Sequence, residues 1–182
     1  MTRYEIPREP PEEGWDIHCH TVFSDGTRTP GGMVDQALQC GLNGVAITDH
    51  DTNAGWNDAA AAAHRSGMPL LRGTEITAAY GPISVHMLGL LYDPANERIA
   101  EMFSTTRRKR LLRTRHMVEC MAKDFPITWE QVERQVKEGS RTTVGRPHIA
   151  DALVAAGVYR NRSEAFAGAV SAQSKYYIPT PS

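Results

Sequence analysis

Along the first 92 positions, apolar residues come in short runs separated by stretches of helical spacing. Trp15 to Cys19 reads as a short strand, and Gly44 to Thr48, with Val45-Ala46-Ile47 at its centre, as a second. Pro30 to Cys40 reads as a helix with Thr29 as its cap and Gly41 as its stop. Asn53 to Ser66 is an alanine-rich helix ending at Gly67. Pro69 to Leu71 opens a third strand that runs into Glu75, and Ile83 to Leu91 is a fourth. Strands alternating with helices predict βα units on a parallel sheet.

The pattern changes after Tyr92. Asn96 to Lys123 reads as one long basic helix, with Arg107, Arg108, Lys109, Arg110, Arg113 and Arg115 close together. Trp129 to Lys137, Pro147 to Ala156 and Ser163 to Val170 are further helices, and Lys175 to Ile178 is the next strand candidate. The expected organisation is a polar tail over 1–14, βα units over 15–94, a helical insertion or lid over 95–178, and a return toward the βα part at 179–182. The arginine run over 107–115 reads as a solvated helix face, with contact to a nucleotide or RNA phosphate as the alternative.

Composition narrows the class. The chain has 182 residues, 41% hydrophobic and 23% charged, with a net charge of -1. That is enough apolar content for a core, and the charge balance argues against a general nucleic-acid or membrane-surface binder. No apolar run approaches the roughly 20 residues a membrane span needs. Met1 to Gly14 is polar, holds Pro7, Pro10 and Pro11, and has no apolar signal core. Cys19, Cys40 and Cys120 are far apart, which suits neither a disulfide framework nor a metal-ligand pair. They read as reduced thiols of a cytoplasmic protein, two of them buried.

The chemistry lies in where the polar residues fall. Asp16-Ile17-His18-Cys19-His20 closes the first strand, and residues two apart on a strand point to one side. Asp25 follows in the turn Ser24-Asp25-Gly26. Thr48-Asp49-His50-Asp51 closes the second strand, Gly73-Thr74-Glu75 the third, and His86 lies in the fourth. Strand ends line the active sites of barrels and open α/β sheets. A buried cluster of His, Asp and Glu is costly unless compensated. Divalent cations supply that compensation, and these ligands suit zinc, manganese or iron.

His18-x-His20 with Ser24-Asp25-Gly26, Thr48-Asp49-His50-Asp51-Thr52, Gly73-Thr74-Glu75-Ile76 and His86-Met87-Leu88-Gly89-Leu90 together resemble the successive motifs of the polymerase and histidinol phosphatase (PHP) superfamily. The segments Arg146-Pro147-His148-Ile149-Ala150 and Lys175-Tyr176-Tyr177-Ile178-Pro179 resemble its small bacterial branch with a helical insertion. The resemblance implies the first part of a distorted (β/α)7 TIM-like barrel holding two or three divalent ions, Mn2+, Zn2+ or Fe2+. It implies His18, His20 and Glu75 at a first metal, Glu75 and His86 at a second, and Asp25 and His50 at a third. Asp49 and Asp51 then orient ligands. The catalytic group is a metal-bound water, with no protein nucleophile. The resemblance also implies later ligands, a histidine and an Asp-x-His motif, that do not precede Ser182. The expectation is therefore a natural product longer by roughly 100 residues, since such barrels run to about 250. An open half-barrel with an unpaired strand edge is expected to be poorly stable alone.

Arg146 opens a predicted helix just before Pro147, where free amides and the helix dipole favour an anion. With the resemblance, Arg146 and His148 are candidate phosphate contacts. The leading expectation is a phosphomonoesterase for a small nucleotide-like substrate, a nucleoside monophosphate or 3',5'-bisphosphate. The alternatives are a 5'-3' exoribonuclease on short RNA, a histidinol-phosphate-type phosphatase, and an inactive truncated metal-binding domain. No membrane partner is expected, and the oligomeric state is open.

Overall fold

A computed structural model describes residues 14–81 and 83–179. The tail before Gly14 and most of the expected return segment at 179–182 lie outside the described residues. Four strands form one sheet in the order β1-β2-β3-β4, with β1 Trp15–Cys19, β2 Gly44–Ile47, β3 Leu70–Tyr80 and β4 Ile83–Leu90. β1, β2 and β3 run parallel, joined by α1 Pro30–Gln39 and α2 Trp56–Ser66. Thr29 caps α1 by accepting from the Gly32 amide, as its position predicts. Gly67 ends α2 in the left-handed conformation that glycine tolerates best.

The parallel pattern stops there. β3 runs eleven residues rather than a few, and β4 folds back on it antiparallel, Glu75 facing Leu88 and Thr77 facing His86. Gly81, at φ 58, makes the reversal possible. Glu75 and His86 therefore sit within a hairpin, not at the ends of parallel strands. β2 is buried throughout, as a central strand must be. β1 is largely exposed at one end of the sheet order, with Trp15 and Ile17 on the surface.

Four helices follow: α3 Glu97–Met121, α4 Trp129–Glu133, α5 Arg146–Ala155 and α6 Arg162–Ala167. They enclose a second apolar core around Met117, Met121, Ile149 and Leu153, separate from the βα core around Val34, Val45 and Ile47. α4 is shorter than the spacing predicts. Lys175 to Ile178 forms no strand; it is a turn and an extended end whose aromatic residues pack on other side chains. Of the cysteines only Cys19 is buried, while Cys40 and Cys120 are partly exposed. No helix among the described residues is long and apolar enough to cross a membrane.

Candidate metal centre

His18, His20, Asp25, His50, Glu75 and His86 come together around the Glu75 carboxylate. His18 Nε2 and His20 Nε2 each lie 2.9 Å from Glu75 Oε2. His86 Nδ1 approaches the other oxygen, Oε1, at 3.2 Å. His50 Nδ1 is 3.5 Å from Oε2, and its Nε2 is 3.6 Å from Asp25 Oδ2. Asp25 Oδ1 lies 3.4 Å from His20 Nδ1. These contacts resolve into three trios, His18–His20–Glu75, His20–Asp25–His50 and His50–Glu75–His86, each with ligand-type atoms within 4.8 Å of one another.

Local backbone explains the convergence. β1 bulges between Asp16 and Cys19, and the two histidines two apart still reach one oxygen. Glu75 is threaded among the residues after β2: its amide donates to the carbonyls of Thr48 and Asp49, and its carbonyl accepts from the Asp51 amide. Gly26 closes the turn carrying Asp25, where a Cβ would stand 2.1 Å from the His20 carbonyl oxygen. Only glycine fits there.

The electrostatics suit a cation. Burial raises the Glu75 carboxyl, but the His18 hydrogen bond and electrostatic attraction to the surrounding histidine rings outweigh it, and Glu75 is held below its ordinary range. Asp25 is likewise raised by burial and lowered further by His50 and His20, with a net fall. Burial, reinforced by Arg110, pushes His50 down to about 3, so its ring is neutral at pH 7. Its buried Nδ1 has no hydrogen-bond partner. Ionised carboxylates beside a neutral His50 with an orphaned nitrogen suit the donor set of a divalent ion. Cys19, between the two histidines in sequence, packs instead in the βα core with Val34 and Val45, and burial and then Asp16 push its thiol up to about 12.

Two aspartates brace the cluster. Asp49 Oδ1 accepts from the Thr21 amide at 2.6 Å and from Ser24 Oγ at 2.7 Å, and Oδ2 accepts from Thr21 Oγ1 at 2.7 Å. Ser24 Oγ is in turn 3.2 Å from His20 Nδ1, so Asp49 reaches His20 through a serine. Asp51 accepts from the Thr77 amide at 2.8 Å and from Thr77 Oγ1 at 2.6 Å. Thr77 is the β3 partner of His86.

A cleft of about 270 Å³ opens over the cluster, with Asp25, His50, Glu75 and His86 on its wall. Arg110, Arg113 and Arg146 line it from the helices, with Phe166 beside them. α5 begins one residue earlier than the spacing predicts, so Arg146 is its first residue and Pro147 its second. The Arg146 guanidinium lies 5.4 Å from the ring centres of both Phe166 and Tyr177 and donates to the Val170 carbonyl. Arg113 lies over the other Tyr177 contact at 5.3 Å and donates to the Ile178 carbonyl. His148 does not line the cleft. It is buried, and its Nδ1 accepts from the Gly145 amide, closing the start of α5. A larger cavity of about 630 Å³ lies between α3, α4 and the turn at Gly139–Arg141, but it holds no histidine or carboxylate cluster.

Arg110 and Arg113 escaped the reading of the arginine run as a solvated face. The signal was present. Phe103, Arg110 and Met117 are seven apart, as are Thr114 and Met121, and all five are buried, so Arg110 falls on the apolar stripe of α3. Arg162, which touches the Asp25 loop, left no such trace.

Comparisons with known proteins place the chain among relatives of known class. The chain is 41% identical over 102 residues to the 3',5'-nucleoside bisphosphate phosphatase of Chromobacterium violaceum, covering 56% of this chain and 36% of that protein. It is 31% identical over 152 residues to a 5'-3' exoribonuclease of Haemophilus influenzae, covering 84% of this chain and 54% of that one. The chain thus spans about half or less of these relatives. A crystal structure of a candidate metal-dependent phosphoesterase from Bifidobacterium adolescentis superposes with a TM-score of 0.92 at 67% identity, over 96% of this chain and 61% of that one. The PHP domain model matches residues 16–154. With a family model over 139 of its residues, the chain belongs to the PHP domain family.

Proposed function

We propose that this chain carries the metal centre and phosphate-binding wall of a phosphoesterase that hydrolyses a phosphate monoester of a small nucleotide-like substrate. The observation that carries this reading is the split Glu75 carboxylate. One oxygen faces His18 and His20 and the other faces His86, in a cleft that three arginines also line. His18, His20 and Glu75 would hold one ion, Glu75, His50 and His86 a second, and Asp25 with His20 or His50 a third. When bound, clustered divalent ions supply a nucleophilic water at neutral pH and draw charge from the phosphoryl oxygens. The protein's own groups do the rest. Glu75 and Asp25 stay ionised, and His50 stays neutral with a free nitrogen. Asp49, through Ser24, sets the His20 ring, and Asp51 fixes the β3 segment opposite His86. Arg146, 5.4 Å from the ring centres of Phe166 and Tyr177, presents its guanidinium to a phosphate at a helix N-terminus. His148 supports that helix start through Gly145.

A doubly phosphorylated nucleotide suits a cleft with metal ligands on one wall and arginines on the other. Short RNA is the second reading, because the exoribonuclease relative matches 84% of this chain, helical segment included. Incubating the protein with Mn2+ and, separately, a nucleoside 3',5'-bisphosphate, a nucleoside monophosphate and a 5'-phosphorylated oligoribonucleotide tests both. Phosphate release from the small substrates supports the first reading, and stepwise mononucleotide release from RNA supports the second. Metal-loaded protein that cleaves none of them overturns both.

A further inference from the structure

The loop that carries Asp25 is gripped from the helical segment. Its carbonyls at Val22, Phe23 and Asp25 accept, in order, from Thr142 Oγ1 at 3.0 Å, the Thr143 amide at 2.8 Å and Arg162 Nη1 at 2.9 Å. Arg162 acts across 137 positions of sequence. It is itself aimed: its Nε and Nη2 meet Asp151 Oδ1 and Oδ2 at 2.8 and 2.5 Å. That fork-to-fork pairing fixes the guanidinium plane and leaves Nη1 directed at the Asp25 carbonyl.

Asp25, with His50, is held more loosely than His18, His20 and His86. Its oxygens stand 3.4 and 3.6 Å from His20 and His50, against 2.9 Å for His18 and His20 on Glu75 Oε2. It also sits on a turn, whereas Glu75 and His86 sit within paired strands. A carboxylate on a turn must be ordered before it can ligate, and a donor that orders its backbone beforehand raises affinity.

Resting on the metal-centre reading above, we propose that Arg162 is a positioning residue for the metal centre. Asp151 orients it, and it fixes the backbone of Asp25 so that the trio His20–Asp25–His50 can take an ion. The helical segment thereby completes the metal centre, as well as facing the substrate. Trios without Asp25 do not depend on Arg162.

The test is Mn2+ titration calorimetry on the whole chain, comparing wild type, Arg162→Gln, Arg162→Lys and Asp151→Asn, each also in an Asp25→Asn background. Arg162→Gln is expected to weaken the weakest Mn2+ site about 10-fold and leave tighter sites unchanged. Asp151→Asn should act in the same direction by less, and Arg162→Lys should recover part of the loss. In the Asp25→Asn background the Arg162 changes should add nothing. Identical isotherms for wild type and Arg162→Gln, or losses that add to Asp25→Asn, overturn the assignment while leaving the metal centre intact. Wild-type protein that binds no Mn2+ sinks the metal-centre reading itself, and this inference with it. Should Arg162→Gln fail to fold, Asp151→Asn and Arg162→Lys decide the matter.

Discussion

Arg110 Nη1 lies 3.5 Å from Asp51 Oδ2, and both side chains are almost wholly withdrawn from solvent. The same Nη1 donates to Thr77 Oγ1 at 2.9 Å, and Thr77 also donates to Asp51. One buried ion pair thus ties α3 to the β2–α2 connection and to β3. Removing one partner of such a pair leaves a buried charge, at a cost of about 3–5 kcal/mol. Asp51 keeps two Thr77 bonds, so Arg110→Met is expected to destabilise by about 3 kcal/mol. Urea unfolding checks this; a loss below ~1 kcal/mol would show that the pair contributes little.

Metal content should rank the histidines. His20 belongs to two of the three trios, whereas His86 belongs to one. His20→Ala is expected to lose more bound Mn2+ than His86→Ala, and His116→Ala, on the exposed face of α3, to lose none. Elemental analysis of dialysed protein gives the order. Equal retention in His20→Ala and wild type would exclude His20 as a ligand.

Arg146→Ala should separate binding from metal loading. The side chain lines the cleft but belongs to no trio. A charge-assisted contact is worth about 1.5–3 kcal/mol, or roughly 10- to 150-fold in apparent affinity. The expected result is a Michaelis constant raised by that factor with metal content unchanged. Steady-state kinetics with elemental analysis on the same samples tests it, and an unchanged Michaelis constant would reduce the arginine wall to scaffolding.

Metal-free protein should lose stability on mild acidification. The folded-state value for His50 is depressed, from 6.5 to about 3, and burial lowers His148 as well. The unfolded chain then binds more protons than the folded one below pH 6.5, so stability rises with pH through that window. It is fully present above pH 6.5 and declines as pH falls toward 3. Asp25 and Glu75, also depressed, lose their contribution only lower, below their unfolded values of 3.8 and 4.5. Urea midpoints at pH 8 and pH 5 should therefore differ, and His50→Gln should narrow the gap. A midpoint independent of pH over that range would contradict a neutral buried His50.

Much of the site was legible because it is local. A period of two predicts His18 and His20 on one side of the chain at the end of β1, and cap and stop residues mark α1 and α2, so elements and ligand candidates follow from spacing alone. The family resemblance rests on the same short motifs. What spacing could not decide was pairing. Whether β4 continues a parallel sheet or turns back depends on Gly81 and on which strand edge is free, and that places His86 opposite Thr77. Nor could it tell a solvated arginine from one whose charge is met by an aspartate distant in sequence. Arg110 meets Asp51, and Arg162 meets Asp151 and the Asp25 carbonyl, only after the helices pack on the sheet. Lys175 to Ile178 has strand-forming residues, yet it meets no strand edge, and Tyr177 lies instead against Arg113 and Arg146. Sequence determined which groups could hold a metal and a phosphate. Tertiary packing decided which of them share an oxygen, a neighbour or a charge, because those energies exist only between residues that the chain brings together from far apart.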